Sequence, residues 1–135
     1  MWILGGEDNQ SACFIFPPIV TSGCSSAGSA SCHGEGYIGC FVDFPSNRVL
    51  SGSMNTSQSM SISYCIQFCQ ESNTAYYTYA GVEAGYECFC GVASDNYSRF
   101  GVGVDSNCSF PCNGDPTESC GAFGFIAVFK SEFRS

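Results

Sequence analysis

Two cysteines of the sequence, Cys88 and Cys90, are separated by a single residue and follow two acids, Glu83 and Glu87. Thiols and carboxylates so close together can bind a metal, exchange electrons, form disulfides or serve as a general acid and base. A thioredoxin-like redox site uses C-x-x-C at a helix start, and the sequence has no such motif. Zinc sites use paired C-x-x-C motifs or histidines, whereas the one histidine, His33, lies in a Gly/Ser-rich stretch. We therefore predict disulfides, with no metal and no other cofactor.

The elements that must position these cysteines are short. Residues 62–72 place apolar side chains and cysteines at a helical spacing, and Ser59 or Ser61 precedes them as an N-cap. Short apolar runs between turn residues predict strands at 37–44, 76–83, 86–91 and 125–130. The segment 51–61 is predicted to be a polar, Ser-rich loop, and the segment 92–122 is predicted to be mostly loop. The result is an α+β fold, with one helix packed on a small antiparallel sheet.

This picture explains the close spacing of the cysteines. Cys65 and Cys69 are four residues apart, so they share one face of the predicted helix, roughly 5–6 Å from each other. Cys88 and Cys90 share one face of a strand, about 6.6 Å apart. Two parallel disulfides, each joining one helix cysteine to one strand cysteine, would therefore hold the helix on the sheet.

Composition and charge exclude several classes of protein. The chain has 135 residues, which is enough for one domain, and its net charge of −8 disfavours nucleic acid and anionic membrane surfaces. No apolar run approaches the ~18 residues of a membrane span. Eleven cysteines indicate an oxidising compartment, so we expect the protein to be secreted or at the cell surface.

Three motifs carry a resemblance to a known family: YIGCFVD at 37–43, YAGVEAGYECFCG at 79–91 and NGDPTESCG at 113–121. With eight cysteines in matching order, they make the chain similar to the WSC domain, a module of fungal wall-stress sensors, Kremen-type receptors and polycystin. The resemblance implies a small disulfide-rich fold of the PAN/apple type, in which an antiparallel sheet cradles one helix. It also implies four disulfides: Cys40 with Cys108, Cys65 with Cys88, Cys69 with Cys90, and Cys112 with Cys120. The family's Gly-Gly after the last cysteine is Gly121-Ala122 here.

The same resemblance divides the chain. Residues 37–130 form the WSC-like domain, residues 131–135 a short tail, and residues 1–36 an extended arm or linker without a family counterpart. Because the number of cysteines is odd, two hypotheses remain for the bonding of the three cysteines in the arm. Either Cys24 pairs with Cys32 and leaves Cys13 over, or one of the three cysteines bonds to another chain.

Binding is a more plausible function than catalysis. Glu83 and Glu87 have no feature that separates their roles, and no serine or Cys/His nucleophile is evident, so we predict that the protein is not an enzyme. The family resemblance implies binding of a carbohydrate, either a polysaccharide or a glycan. The candidate ligand-binding residues are Tyr76, Tyr77, Tyr86, Glu87, Asp95, Asn96 and Tyr97. Sequons predict N-glycosylation at Asn55, Asn96 and Asn107, with Asn107 the least certain because a half-cystine follows it.

An architectural function is the alternative. The chain would then be a structural subunit of a glycosylated extracellular assembly or filament. Residues 1–36 would contact a neighbouring subunit, since they contain the apolar stretch FIFPPIV and an unassigned cysteine.

Overall fold

The computed structural model of the chain describes residues 36–72 and 77–131. The predictions for the N-terminal arm, including its three cysteines and its self-association, lie outside the described residues, as does the candidate ligand residue Tyr76. No helix in the described part of the chain is long and apolar enough to cross a membrane.

A five-stranded antiparallel sheet forms the centre of the fold, with the strand order β1-β7-β3-β4-β2. Its strands are β1 (Tyr37–Val42), β2 (Met54–Thr56), β3 (Tyr79–Glu83), β4 (Glu87–Gly91) and β7 (Phe125–Lys130). A separate hairpin pairs β5 (Pro111–Cys112) with β6 (Asp115–Ser119). The last strand of the chain, β7, therefore lies inside the sheet, between the first strand and the β3–β4 hairpin.

The one α-helix of the described residues, α1 (Ile62–Glu71), begins where the sequence predicts it. Of the two candidate N-caps, Ser61 is the one used, and its Oγ accepts a hydrogen bond of 3.1 Å from the Tyr64 amide. A second amide of the first turn, that of Ile62, donates to Glu118 Oε1 at 3.0 Å. The β5–β6 hairpin thus also caps the helix, which fixes the position of the hairpin.

Four disulfides link the elements, and all of their sulfur-bearing residues are buried. They join Cys40 to Cys108, Cys65 to Cys88, Cys69 to Cys90, and Cys112 to Cys120. These are the pairs that the family resemblance implies. The two that join α1 to β4 have Cα–Cα distances of 5.4 and 5.5 Å. The close spacing of the cysteines therefore has a structural cause: the two bonds hold the helix against one face of the sheet.

The opposite face of the sheet is covered by loops. Its core consists of Phe41, Val49, Leu50, Phe89, Ile126 and Val128. Two strand glycines, Gly81 and Gly91, make room for Leu50, because a Cβ at these positions would lie 2.9 Å and 2.6 Å from its methyl carbons. We call this side of the sheet the loop face.

The prediction that residues 51–61 form a loop was wrong in part, whereas residues 92–122 are mostly loop, as predicted. The polar segment 51–61 contains β2, and the segment 92–122 contains a 3₁₀ turn (Asp105–Cys108) and the β5–β6 hairpin. β2 escapes prediction because it has only three residues, at the edge of the sheet, with no buried alternation. The Thr56 amide donates to Asn55 Oδ1 at 2.9 Å, so it is not left unpaired at this edge.

Candidate ligand-binding surface

A buried cluster of charged side chains lies beneath the loop face. Asp43 follows β1, Glu83 ends β3, and Arg48 comes from the loop between β1 and β2. The Arg48 Nη1 atom lies 2.9 Å from Asp43 Oδ2 and 3.3 Å from Glu83 Oε2. The other Asp43 oxygen accepts a hydrogen bond of 2.9 Å from the Val49 amide. Both carboxyl groups are buried, so the cluster holds the Nη1 group of Arg48 in place.

The two acids of this cluster carry different charges at neutral pH. Burial, followed by the hydrogen bond and the charge of Asp43, raises the pKa of Glu83 to about 9. Glu83 is therefore protonated at pH 7, and Asp43 provides the negative charge that balances Arg48. Burial alone would lower the pKa of Arg48, but the hydrogen bond to Asp43 and the nearby acids raise it. The guanidinium thus stays charged.

The outer side of Arg48 faces solvent. Its guanidinium carbon lies 4.3 Å from the centre of the Phe89 ring, and 24% of the side chain is exposed. The Nε and Nη2 groups make no hydrogen bond with the described residues. Glu87 is near enough to act on the Arg48 charge, is half-buried, and likewise makes no side-chain hydrogen bond within the described chain. A fixed donor and an acceptor without a hydrogen bond to the described residues therefore lie on the same face of the sheet, close enough to interact electrostatically.

The β3–β4 turn explains why two acids meet here. Ala84 and Gly85 both have positive φ angles, 59° and 86°, and close the hairpin so that Glu83 pairs with Glu87 across the two strands. Both acids then lie on the loop face, but at different depths. Glu83 is covered by Arg48, whereas Glu87 is accessible from solvent.

A second arginine extends this surface. The Arg99 Nη2 donates to the Arg48 carbonyl oxygen at 2.6 Å and to Asn47 Oδ1 at 2.8 Å, and its guanidinium stacks on Phe100 at 4.8 Å. The Phe44 ring, 47% exposed, meets Phe100 edge-on at 4.9 Å. We call this set the loop-face site: Phe44, Asn47, Arg48, Glu87, Arg99 and Phe100.

Two of the predicted tyrosines serve packing. Tyr77 is buried, and its hydroxyl lies 3.2 Å from the Ser53 amide and 2.9 Å from the Ser53 hydroxyl. Tyr97 is half-buried, with its ring 4.8 Å from Phe41 and 5.1 Å from Tyr79. The Tyr77 ring is therefore not exposed to a ligand, whereas the Tyr97 ring keeps part of its surface accessible.

Of the other predicted ligand-binding residues, Asp95 and Asn96 accept hydrogen bonds from loop residues, whereas the side chains of Tyr86 and Glu87 have no hydrogen bond to the described residues. The Asp95 carboxylate organises its loop, because it accepts hydrogen bonds from Ser51 and from the Val92 amide. The exposed Asn96 accepts from Ser98, two residues further on. Tyr86 is partly exposed, and its side chain makes no hydrogen bond or ring contact with the described residues; Glu87 belongs to the loop-face site.

The sequence analysis missed both arginines, although one signal was present. The chain has only four Lys and Arg residues, and Arg48 and Arg99 lie in contact in the fold. A rare residue type in an acidic chain marks a position where a positive charge has a defined role. Their proximity, however, depends on loops that are 51 residues apart in the sequence.

The cysteine sulfurs offer no metal site in the described chain. The sulfurs of Cys65, Cys69 and Cys88 lie within 4.8 Å of one another, a spacing at which thiolates bind metal ions. All three are half-cystines, so none can provide a thiolate.

The fold and the site together define a class of protein: a small disulfide-rich α+β module that presents a polar, partly aromatic surface on the face opposite its helix. The chain matches the WSC domain family over residues 37–122. It therefore belongs to the WSC domain family, as its motifs indicate.

Several named proteins are similar to the chain. Kremen protein 2 of Homo sapiens is 41% identical over 100 residues, which cover 74% of this chain and 21% of that protein. A WSC domain-containing protein of Arthroderma benhamiae is 34% identical over 96 residues, or 71% of this chain and 12% of that protein. Xylosyltransferase oxt of Drosophila melanogaster is 36% identical over 95 residues, or 70% of this chain and 10% of that protein. The chain thus spans about a fifth of these relatives or less.

Proposed function

We propose that this domain is a non-catalytic, extracellular glycan-binding module and that the loop-face site holds the sugar. One observation carries the proposal: Arg48 is fixed from below by Asp43, while its remaining N–H donors stay exposed beside Glu87. Each sugar hydroxyl can donate and accept a hydrogen bond. A donor and an acceptor on the same surface can therefore bind different hydroxyls of one sugar.

The rigidity of Arg48 favours binding of a weakly interacting ligand. A free arginine would lose side-chain entropy on binding, whereas the salt bridge to Asp43 and the contact with Phe89 already restrict this one. With Glu83 protonated, the charges of Asp43 and Arg48 balance. The centre of the site is then suited to uncharged hydroxyl groups, and the exposed ring of Phe44 can pack against the apolar face of a sugar.

Two further features support an extracellular and non-catalytic role. Four disulfides suit an oxidising compartment. Glu83 has a raised pKa, as a general acid needs, but it is only 3% exposed and lies beneath Arg48. A glycosidic oxygen cannot come within hydrogen-bonding distance of it.

The variant Glu87→Ala tests the site. It removes the exposed acceptor without breaking a hydrogen bond to a described residue, so we expect the fold to be retained and glycan affinity to fall about three- to tenfold. Affinity electrophoresis in gels that contain β-glucan or another neutral polysaccharide measures the change. The matched control, Glu71→Ala, removes an exposed acid from the helix on the other side of the sheet and should bind normally. If the folded native protein is retarded by none of the polysaccharides, the proposal is wrong.

The three sequons are not equivalent acceptors of N-glycans, and we propose Asn96 and Asn107 as the modified residues. Both are exposed, whereas Asn55 is half-buried in β2 and its Nδ2 atom, where a glycan would be attached, donates to the Tyr64 hydroxyl at 3.1 Å. Protein from a eukaryotic secretory host, treated with peptide N-glycosidase, should show aspartate at 96 and 107 and unchanged asparagine at 55 by peptide mass mapping. A glycan found at Asn55 would contradict this assignment.

A further inference from the structure

Arg99 is an exposed cation without an acidic partner in the described chain. The ion pairs there involve Arg48 alone among the arginines and lysines. Arg99 is nevertheless held in place: Nη2 donates to the carbonyl oxygens of Arg48 and Asn47, at 2.6 and 3.3 Å, and Nη1 to that of Val49 at 3.5 Å. These acceptors are neutral, so they fix the guanidinium without balancing its charge. The Nε group makes no hydrogen bond to a described residue.

The acids near the loop-face site are already engaged, except Glu87, which forms no ion pair with Arg99. Asp43 is buried against Arg48, and the Asp95 carboxylate accepts hydrogen bonds from Ser51 and Val92. Glu83 is protonated at neutral pH because burial raises its pKa to about 9. The positive charge of Arg99 therefore remains available to a ligand, unlike that of Arg48, which an acid balances at 2.9 Å.

We propose that Arg99 and Phe44 form a subsite for an acidic sugar residue, in which Arg99 binds an oxyanion and Phe44 packs on the sugar ring. The oxyanion is the carboxylate of a uronic acid or the sulfate ester of a sulfated sugar. This inference rests on the proposed function and names the glycan class: a polysaccharide that carries anionic substituents beside its hydroxyl groups.

The geometry supports this pairing of roles. Phe44 and Arg99 are both exposed and both contact the Phe100 ring, so the two side chains are close neighbours on the surface. Because Nη2 already donates to Arg48 and Asn47, the Nε group of Arg99 is the donor that remains for an oxyanion, and the guanidinium keeps its charge at every physiological pH. The net charge of −8 opposes an anionic ligand at long range, but salt screens that repulsion beyond about 8 Å at physiological ionic strength. Contact with Arg99 then determines whether the anionic or the neutral ligand binds more tightly.

The experiment compares matched ligands on the full chain. Calorimetry would measure binding of a neutral oligosaccharide, of the same oligosaccharide with one uronate, and of the same oligosaccharide with one sulfate. We expect at least one anionic form to bind about two- to fivefold more tightly than the neutral form, the range for an exposed ion pair. Whichever anion shows the preference identifies the source of the oxyanion.

Three variants separate the subsite from a general charge effect. Arg99→Gln should lose the preference for the anionic ligand while it retains affinity for the neutral one. Arg99→Lys should keep part of the preference for the anionic ligand, so the subsite can still be tested if Arg99→Gln does not fold. Lys130→Gln removes an exposed cation at the opposite end of β7 and should behave like the native protein.

The outcomes are distinct for the two proposals. Equal affinity of the native protein for neutral and anionic ligands would overturn the Arg99 subsite and leave the proposed function intact. Equal losses in Arg99→Gln and Lys130→Gln would also overturn the subsite. Failure of the native protein to bind any of the three ligands would overturn the proposed function itself.

Discussion

Replacing Cys40 and Cys108 together by alanine is expected to lower the free energy of unfolding by about 4 kcal/mol, the largest loss for any of the four disulfides. The bond closes a loop with a sequence separation of 68, compared with 23 for Cys65–Cys88. In the chain-entropy description a disulfide stabilises by restricting the unfolded chain, and the restriction grows with loop length. The corresponding loss for the helix disulfide Cys65–Cys88 is about 3 kcal/mol.

The bond between Cys112 and Cys120 provides the matched control. Its sequence separation is 8, and its two residues are as deeply buried as those of the other bonds, so burial does not distinguish the series. Its double alanine variant should lose about 2.5 kcal/mol. Urea unfolding of the variants with linear extrapolation measures the order. Equal losses for the longest and the shortest loop would show that loop entropy does not govern the stability of this domain.

The helix and the sheet were predictable because each leaves a local pattern. The helix is indicated by the helical spacing of Cys65, Ile66 and Cys69 after the N-cap Ser61. The strands are indicated by the alternating apolar residues of 37–44 and the continuous apolar run 125–130. A local sequence pattern is enough to predict a helix or strand when one face of that element is buried. It fails for β2, whose three residues pair at the edge of the sheet and bury little.

The loop-face site was only partly predictable, for a different physical reason. Glu87 was among the predicted ligand residues, but its partner Arg48 comes from a loop without a motif, and the acid that fixes Arg48 follows another strand. Such a cluster is created by tertiary folding and leaves no spacing in the sequence. The tyrosines were predicted from residue type alone, because aromatic rings can pack against sugars. Residue type does not indicate exposure, and the fold shows that Tyr77 is buried.

The variant Glu83→Gln is expected to be more stable than the native protein at neutral and alkaline pH. The pKa of Glu83 is about 9 in the folded state, above the ordinary value of 4.5 that it regains on unfolding. A raised folded pKa means that the folded state holds a proton that the unfolded state releases. The contribution of Glu83 to stability is therefore fully present below pH 4.5 and is lost as the pH rises toward 9.

Glutamine carries no ionisable proton, so the variant does not incur this loss. The native protein should lose up to about 1.4 kcal/mol per pH unit across this window through Glu83 alone, whereas Glu83→Gln should remain nearly level. Burial is the main cause of the shift, and Asp43, Arg48 and Glu87 are the charged groups that act on it. The conservative control Glu71→Gln, on the exposed side of the helix, should follow the native curve. Urea unfolding from pH 5 to 9 distinguishes the cases. Parallel curves for native protein and Glu83→Gln would mean that Glu83 is ionised beneath Arg48 at neutral pH, and the centre of the loop-face site would then carry a net negative charge instead of none.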